Sequence, residues 1–335
     1  MRRICALALA AIAWTAAPAA KAAEPIVIKF SHVVAPDTPK GKAAEMFKKL
    51  AEERTKGAVK VEVYPNSQLY KDKEELEALQ IGAVQMLAPS LSKFGPLGVK
   101  EFEVFDLPYI FPSREVLRAV TEGPVGQSLM RKLEAKGIRG LGIFDNGFKI
   151  MTANSPVRLP GDVKGLKLRI QSSKVLDAQM RALGALPQSM AFSEVYQALQ
   201  TGVVDGTENT PSNTYTQKVH EVQKYGAVTN HGYIGYALIT NKKFWDGLPA
   251  DLRATLEGAA NESVRFANAI AQQENDDALA AMKASGKIEL YQPTKEELEQ
   301  WRKALLPVHQ QVIDRIGDNI LQAIYKEAET FGFKN

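Results

Sequence analysis

The amino-acid sequence predicts an α/β protein built as two domains with a long helix lying along both. Three observations predict it. β-Branched runs alternate with segments of helical period from the start of the mature chain to about Val228. The composition changes around Asn146-Gly147, where the alternation halts and then restarts. Finally, Asp251 to Ser285 carries a helical pattern with no proline and one internal glycine, which is longer than one compact domain holds.

The elements follow in order. PIVIKFSHV reads as a buried strand, and Thr38-Pro39 supplies a cap residue and a first-turn proline for a helix over about Lys40 to Glu53. Ala43, Met46, Phe47, Leu50 and Ala51 recur there at spacings of three and four. After the Gly57 break VKVEVYP returns to strand, which completes a β-α-β unit. A helix over about Lys73 to Ile81, a short strand near Gln85 to Pro89, helices through Val116 to Lys136 and the strand IRGLGIF continue the alternation. Such alternation argues for a largely parallel sheet. From residue 147 FKIMTANSPVRLPGDVKGLKLRI reads as two strands around a Pro/Gly-punctuated connection, and further β-α elements run to about Val228. HGYIGYALITNKKFW is another strand, and a last helical region spans about Lys295 to Thr330. No internal repeat interrupts this order. The expected division is residues 24–146 with about 234–272 in the first domain, and 147–233 with about 273–330 in the second.

The first 22 residues read as a secretory leader. Arg2 and Arg3 precede an apolar run to about Ala17, and small residues at Ala20 and Ala22 suit cleavage after Ala22. The run is shorter than a membrane span requires. Cys5, the only cysteine of the chain, lies in this leader, so the mature protein is expected to have neither disulfide nor thiolate metal site. Roughly 313 residues remain, enough for two hydrophobic cores. The formal charge of +4 includes Arg2, Arg3 and Lys21. The mature chain is therefore near neutral, and its dispersed basic residues give no footprint for nucleic acid.

Catalytic signatures are absent. The four histidines, His32, His220, His231 and His309, lack the i, i+4 pairing of a helical metal site. No GxSxG elbow or phosphate-cradling glycine loop occurs, and GLGIFDNG fails the dinucleotide fingerprint at its third glycine. Glu74-Glu75 and Asp276-Asp277 read as solvated helical acids. No metal, cofactor or catalytic residue is expected. An exported chain of this kind favours binding, with an enzyme acting on a small acid as the alternative from another class.

Arg169 is the residue that points to a ligand. In KGLKLRIQSS it ends an apolar strand just before a helix over about Lys174 to Leu183. Ligands of open α/β sheets bind beyond the carboxyl ends of strands, and a guanidinium offers a carboxylate two parallel donors. Taken alone, such an arginine is more often a surface ion pair.

Four stretches change that balance: FSHVVAPDTPKGKAAEMFKKLAEE; GAVQMLAPSLSKF with FDLPYIF; KGLKLRIQSSKVLDAQMRALGALPQSMAFSEVYQALQTGVVDGTEN; and TNHGYIGYALITNKKFWDGLP. Together they resemble the solute-binding proteins of tripartite ATP-independent periplasmic (TRAP) transporters, and among these the C4-dicarboxylate-binding members. The resemblance implies a periplasmic-binding-protein-like fold whose two domains close over a ligand. It implies a periplasmic receptor, monomeric, that hands a small organic acid to the small and large membrane subunits of a permease. It gives Arg169 the salt bridge to a substrate carboxylate, Asn209 a hydrogen bond to the same group, and Phe192 the aromatic contact. Lys149, Lys40, Ser90, Tyr236 and His32 occupy further positions that the resemblance directs to the cleft. One departure stands out: Thr210-Pro211-Ser212 follows Asn209 where many relatives carry an aromatic residue.

A buried dianion needs about two cations or their equivalent, because desolvating an unpaired carboxylate costs several kcal/mol. Arg169 with Lys149 or Lys40 meets that need and favours succinate, fumarate or malate. Keto acids, hydroxy acids and other monocarboxylates remain alternatives at this point, as does a periplasmic sensor using the same pocket.

Overall fold

The computed structural model describes residues 24–333, so the leader, its cleavage site and Cys5 lie outside the described residues. Among the described residues eleven strands form two sheets. In chain order they are β1 (Ile26–Ser31), β2 (Val59–Tyr64), β3 (Met86–Leu87), β4 (Ile138–Phe148), β5 (Ile150–Ala153), β6 (Lys167–Ile170), β7 (Leu186–Ser189), β8 (Gly206–Asn209), β9 (Tyr225–Ala227), β10 (Tyr233–Asn241) and β11 (Glu289–Tyr291). The first sheet has the order β2-β1-β3-β10-β4 and the second the order β11-β9-β5-β8-β6-β7.

Each sheet is parallel but for one reversed strand. β10 runs antiparallel to β3 and β4, and β5 runs antiparallel to β8 and β9. These are the strands that enter from the other sheet. β4 passes into β5 through Lys149 alone, and β9 reaches β10 through residues 228–232. A strand that crosses directly arrives from the carboxyl ends of its new neighbours, so it must run against them. The crossings therefore mark the side where the carboxyl ends of both sheets face each other, which is the ligand side of an open α/β sheet. The expected boundary at residue 146 falls inside β4. That strand keeps its pairing with β10 through a register shift, and the crossing comes at Lys149, whose N–H donates to Gly232 O at 2.9 Å.

Local chemistry accounts for the helices. Thr38 caps the helix Pro39–Arg54 by accepting from Gly41 N at 3.1 Å, with Pro39 in the first turn where no N–H is needed. The expected helix over Val116 to Lys136 is two helices, Arg114–Glu122 and Pro124–Lys132, because Gly123-Pro124 breaks the ladder. The 36-residue helix Ala250–Ser285 begins after Pro249 and ends at Gly286, whose φ of 64° provides a left-handed stop. At 1.5 Å per residue it is about 54 Å long. Its buried alanines, Ala259, Ala260, Ala267, Ala271 and Ala278, let it approach the helix Pro39–Arg54 and β4 in its first part and the helix Pro211–Thr216 farther on. Among the described residues no helix is long and apolar enough to cross a membrane.

The carboxyl-terminal segment is shared between the two halves. Trp301 and Leu305 join Met151, Leu168 and Met180 in the core of the second sheet. Val308, Ile316, Leu321, Ile324 and Ala328 instead pack with Phe102, Phe105 and Leu117 of the first. The expectation that placed all of 273–330 with the second domain is corrected accordingly. No periodicity tells a helix which core it faces, only which of its faces is apolar.

Candidate functional site

The carboxyl ends of the two sheets bring together Arg169, Asn209, Phe192, Ser90, Lys40 and Tyr236. Arg169 lies in β6, 1% exposed, with Nε and Nη2 donating to Met190 O at 3.1 and 2.9 Å. That clamp fixes one edge of the guanidinium and leaves Nη1 for another acceptor. Its charge centre is 5.8 Å from the Phe192 ring, so the ring and the guanidinium share one wall. Asn209 ends β8. Its Oδ1 accepts from Thr210 N at 2.8 Å and Asn213 Nδ2 at 3.0 Å, which leaves its own Nδ2 as the free donor.

The first sheet supplies the opposite wall. Lys40, 1% exposed, donates to Ala88 O at 2.9 Å and stands 3.6 Å from the centre of the Tyr236 ring. Ser90 pairs with Tyr236 through a β-bridge and donates across the cleft to Gln171 Oε1 at 3.2 Å. Asn213 Nδ2 reaches the Tyr236 hydroxyl at 2.8 Å, and Phe192 N donates to Asp72 Oδ1 at 3.2 Å. Polar contacts therefore span the cleft, with the Lys71–Glu194 ion pair at 2.9 Å joining the same two halves. The cavity left among Val33, Asp72, Glu75, Ser90, Lys93 and Asn209 measures about 20 Å³, room for about one water. A molecule of several heavy atoms enters only when the halves separate.

Of the expected residues, Asn209, Phe192, Ser90 and Tyr236 line this cavity, Arg169 and Lys40 are buried against Phe192 and Tyr236, and Lys149 and His32 are engaged elsewhere. Lys149 is 1% exposed, but its Nζ lies 2.6 Å from Glu208 Oε2, and His231 Nε2 approaches the same oxygen at 3.4 Å. Burial pushes the Glu208 carboxyl up, but Lys149 and His231 outweigh it and hold the group below the usual carboxylate range. The ammonium expected to meet the ligand is thus committed to a buried ion pair at the crossing. His32 is fully buried next to the Phe30 ring. Burial, reinforced by Lys40, lowers its pKa to about 3, so it is neutral and contributes no charge.

Four residues of the cleft were not picked out from the sequence. Lys93, 5% exposed, pairs with Asp72 at 2.7 Å, and Asp72 is 4.0 Å from Arg169 Nη2. Burial raises the Asp72 carboxyl, but Lys93 and then Arg169 more than offset that, so Asp72 stays ionised. Glu75 is not a solvated acid. It is 1% exposed and lines the cavity, and burial, opposed by Lys40, holds its carboxyl above the usual range. Asn213 stands in the polar wall near the segment where the resemblance expects an aromatic ring. Lys93 and Glu75 both lie in segments that were noticed, APSLSKF and the acid pair. Chain position alone carries no sign of their burial.

A larger concavity, about 560 Å³, lies on the outer side between Met130, Gly140, Gly142 and Val264. Of its charges Glu122 and Arg131 are exposed, and Glu134 and Arg139 are half-buried and paired at 2.9 Å. Size there does not outweigh chemistry: the buried cations are in the cleft.

Comparison with known proteins decides the family. The model of bacterial extracellular solute-binding protein family 7 matches residues 30–315. The chain belongs to this family. It is 67% identical over 302 residues to the C4-dicarboxylate-binding periplasmic protein DctP of Rhodobacter capsulatus, covering 90% of this chain and 91% of that protein. Among solved structures it is similar to a TRAP periplasmic solute-binding protein from Shewanella oneidensis with bound succinate. That match has 43% identity and a TM-score of 0.88 and covers 90% of this chain and 99% of the other. A TRAP solute-binding protein from Pseudomonas aeruginosa with bound L-malate is 46% identical with a TM-score of 0.84, covering 86% of this chain and all of the other. The two-domain α/β fold of this family is the one described above, and Arg169, Asn209 and Phe192 sit where its two halves meet.

Proposed function

We propose that this chain is the periplasmic receptor of a TRAP transporter and that it captures a C4-dicarboxylate such as succinate, fumarate or malate. The observation that carries the reading is the charge of the cleft. Lys40, Lys93 and Arg169 are buried there against one ionised carboxylate, Asp72, while burial holds the second acid, Glu75, above the usual carboxylate range. With Glu75 neutral, two positive charges are left over, the complement of a dianion. A monoanion would leave one buried cation uncompensated at a cost of several kcal/mol. Succinate and L-malate, bound in the two similar solved structures, agree with this chemistry.

In the mechanism, Arg169 Nη1 and Asn209 Nδ2 take one carboxylate on the second half. Lys40, Lys93 and Ser90 then meet the other carboxylate from the first. Contacts on both sides stabilise the closed arrangement, so ligand energy shifts an open–closed equilibrium. The two sheet-centred halves act as the domains, with Lys149 and residues 228–232 as the crossings that bend. No bond is made or broken. The closed form is what the small and large membrane subunits recognise, and the acid passes to them unchanged.

A thermal-shift screen tests this reading. A ligand at 100 times its Kd adds about 2.7 kcal/mol of stability. Succinate, fumarate and L-malate are expected to raise Tm, and pyruvate or lactate at equal concentration to leave it nearly unchanged. If only monocarboxylates raise Tm, or no organic anion does, the dicarboxylate reading fails.

A further inference from the structure

Glu75 is the buried acid of the cleft that the mechanism above leaves unused. It begins the helix Glu75–Gln80, is 1% exposed, and lines the cavity beside Asp72, Ser90, Lys93 and Gln171. Neither carboxylate oxygen has a hydrogen-bond partner. The groups that face it come from every wall: Lys40 from the helix Pro39–Arg54, Asp72 from the preceding turn, Lys93 from the 3₁₀ turn Leu91–Lys93, and Tyr236 from β10. None of the cations is given over to it. Lys93 pairs with Asp72, and Lys40 donates to Ala88 O and lies over the Tyr236 ring. A buried carboxyl with no partner, aimed into a ligand cavity, is costly to keep ionised.

We propose that Glu75 is a specificity-determining residue that enters the liganded cleft as a neutral carboxylic acid and donates its proton in a hydrogen bond to the nearer ligand carboxylate. Capture of a dianion then takes up one proton from solvent. This rests on the dicarboxylate reading, because only a dianion brings the charge that forces the balance. Lys40, Lys93 and Arg169 against Asp72 leave two positive charges, which succinate consumes. An ionised Glu75 would add one uncompensated negative charge at the ligand, repelled by the carboxylate it touches, whereas the protonated form supplies a donor in the same place. Burial already biases Glu75 toward that form in the free protein. His32, behind Lys40, is neutral and does not change the count.

Calorimetric titration with succinate at pH 7, in phosphate and in imidazole, reads the proton where Glu75 titrates and Lys40, lowered to about 8 by burial, is still largely charged. These buffers differ in ionisation enthalpy, so proton uptake makes the observed heat depend on the buffer. The wild type is expected to take up a substantial fraction of one proton per succinate, and its affinity to fall by up to tenfold per pH unit as pH rises above 7. Glu75→Gln keeps a donor without a titration. It is expected to lose most of the buffer dependence and of the pH dependence, the remainder coming from Lys40, whose ammonium burial lowers to about 8, and to bind at pH 7 within about tenfold of wild type. Buffer-independent heat in the wild type overturns the proposal, as does uptake of wild-type size in Glu75→Gln. Should that variant fail to fold, the wild-type buffer and pH dependence decides alone. Absence of any succinate binding at pH 6 would instead overturn the dicarboxylate reading itself.

Discussion

At the scale of single residues, the cleft separates groups that meet a ligand from groups that hold the frame, and charge pairing is what tells them apart. Lys149 and Lys93 are both buried lysines beside a carboxylate, but Glu208 is walled in with Lys149 and His231, whereas Asp72 lines the cavity. Lys149→Ala leaves the buried Glu208 without its ammonium partner, with His231 beside it, and is expected to cost up to about 3–5 kcal/mol in urea unfolding. Succinate affinity of the folded variant should change by less than about threefold; a tenfold loss without destabilisation would return Lys149 to the ligand. His32 predicts a pH effect. Its folded pKa of about 3 lies below the 6.5 of the unfolded chain, so below pH 6.5 only the unfolded chain takes the proton. Stability is present above pH 6.5 and is lost as pH falls toward 3, by up to about 1.4 kcal/mol per pH unit from this group. His32→Asn should flatten that part of the pH–stability curve, and an unchanged slope would show that other groups carry it.

Arg169 and Asn209 were legible in the sequence because a strand end and a recognisable motif place them. The partners that set the ligand's charge were not. Lys93, Asp72 and Glu75 come together within the first half from separate turns and a helix start, and burial at the junction with the second half leaves no period in the chain. Sequence alone offered Lys149 or Lys40 for the second cation; the fold commits Lys149 to Glu208, buries Lys40 beside Tyr236 and adds Lys93.

At the scale of elements, the β-α alternation and the long helix were readable because their periods are local. The two reversed strands and the split of the last helices between cores were not, since both depend on where a crossing strand arrives. The β4–β5 crossing is the most constrained of these places. Gly147 has φ +108°, and a Cβ there would lie 2.6 Å from Asn275 Nδ2 of the long helix. That nitrogen donates to Asn146 O at 2.7 Å, while Asn275 Oδ1 accepts from Ser212 N at 3.0 Å, so one side chain ties helix, crossing and second half together. Gly147→Ala is expected to destabilise by about 1–3 kcal/mol through backbone strain and the displaced amide. Wild-type stability in chemical denaturation would mean that the crossing relaxes freely.

At the scale of the whole molecule, cross-cleft bonds from Ser90, Phe192 and Asn213 hold a cavity of about 20 Å³. Entry of a four-carbon acid therefore requires separation of the halves and capture requires their return. Small-angle scattering should show the radius of gyration decreasing when saturating succinate is added, and an unchanged value would contradict hinge closure. The central claim is that the buried cations of this cleft hold a dicarboxylate through Arg169. Calorimetric titration of succinate into wild type and Arg169→Ala, with Tm confirming that both are folded, tests it most directly. The account predicts saturable one-to-one binding to the wild type and at least a tenfold loss in the variant, about 1.4 kcal/mol or more; equal affinities for the two proteins would contradict it.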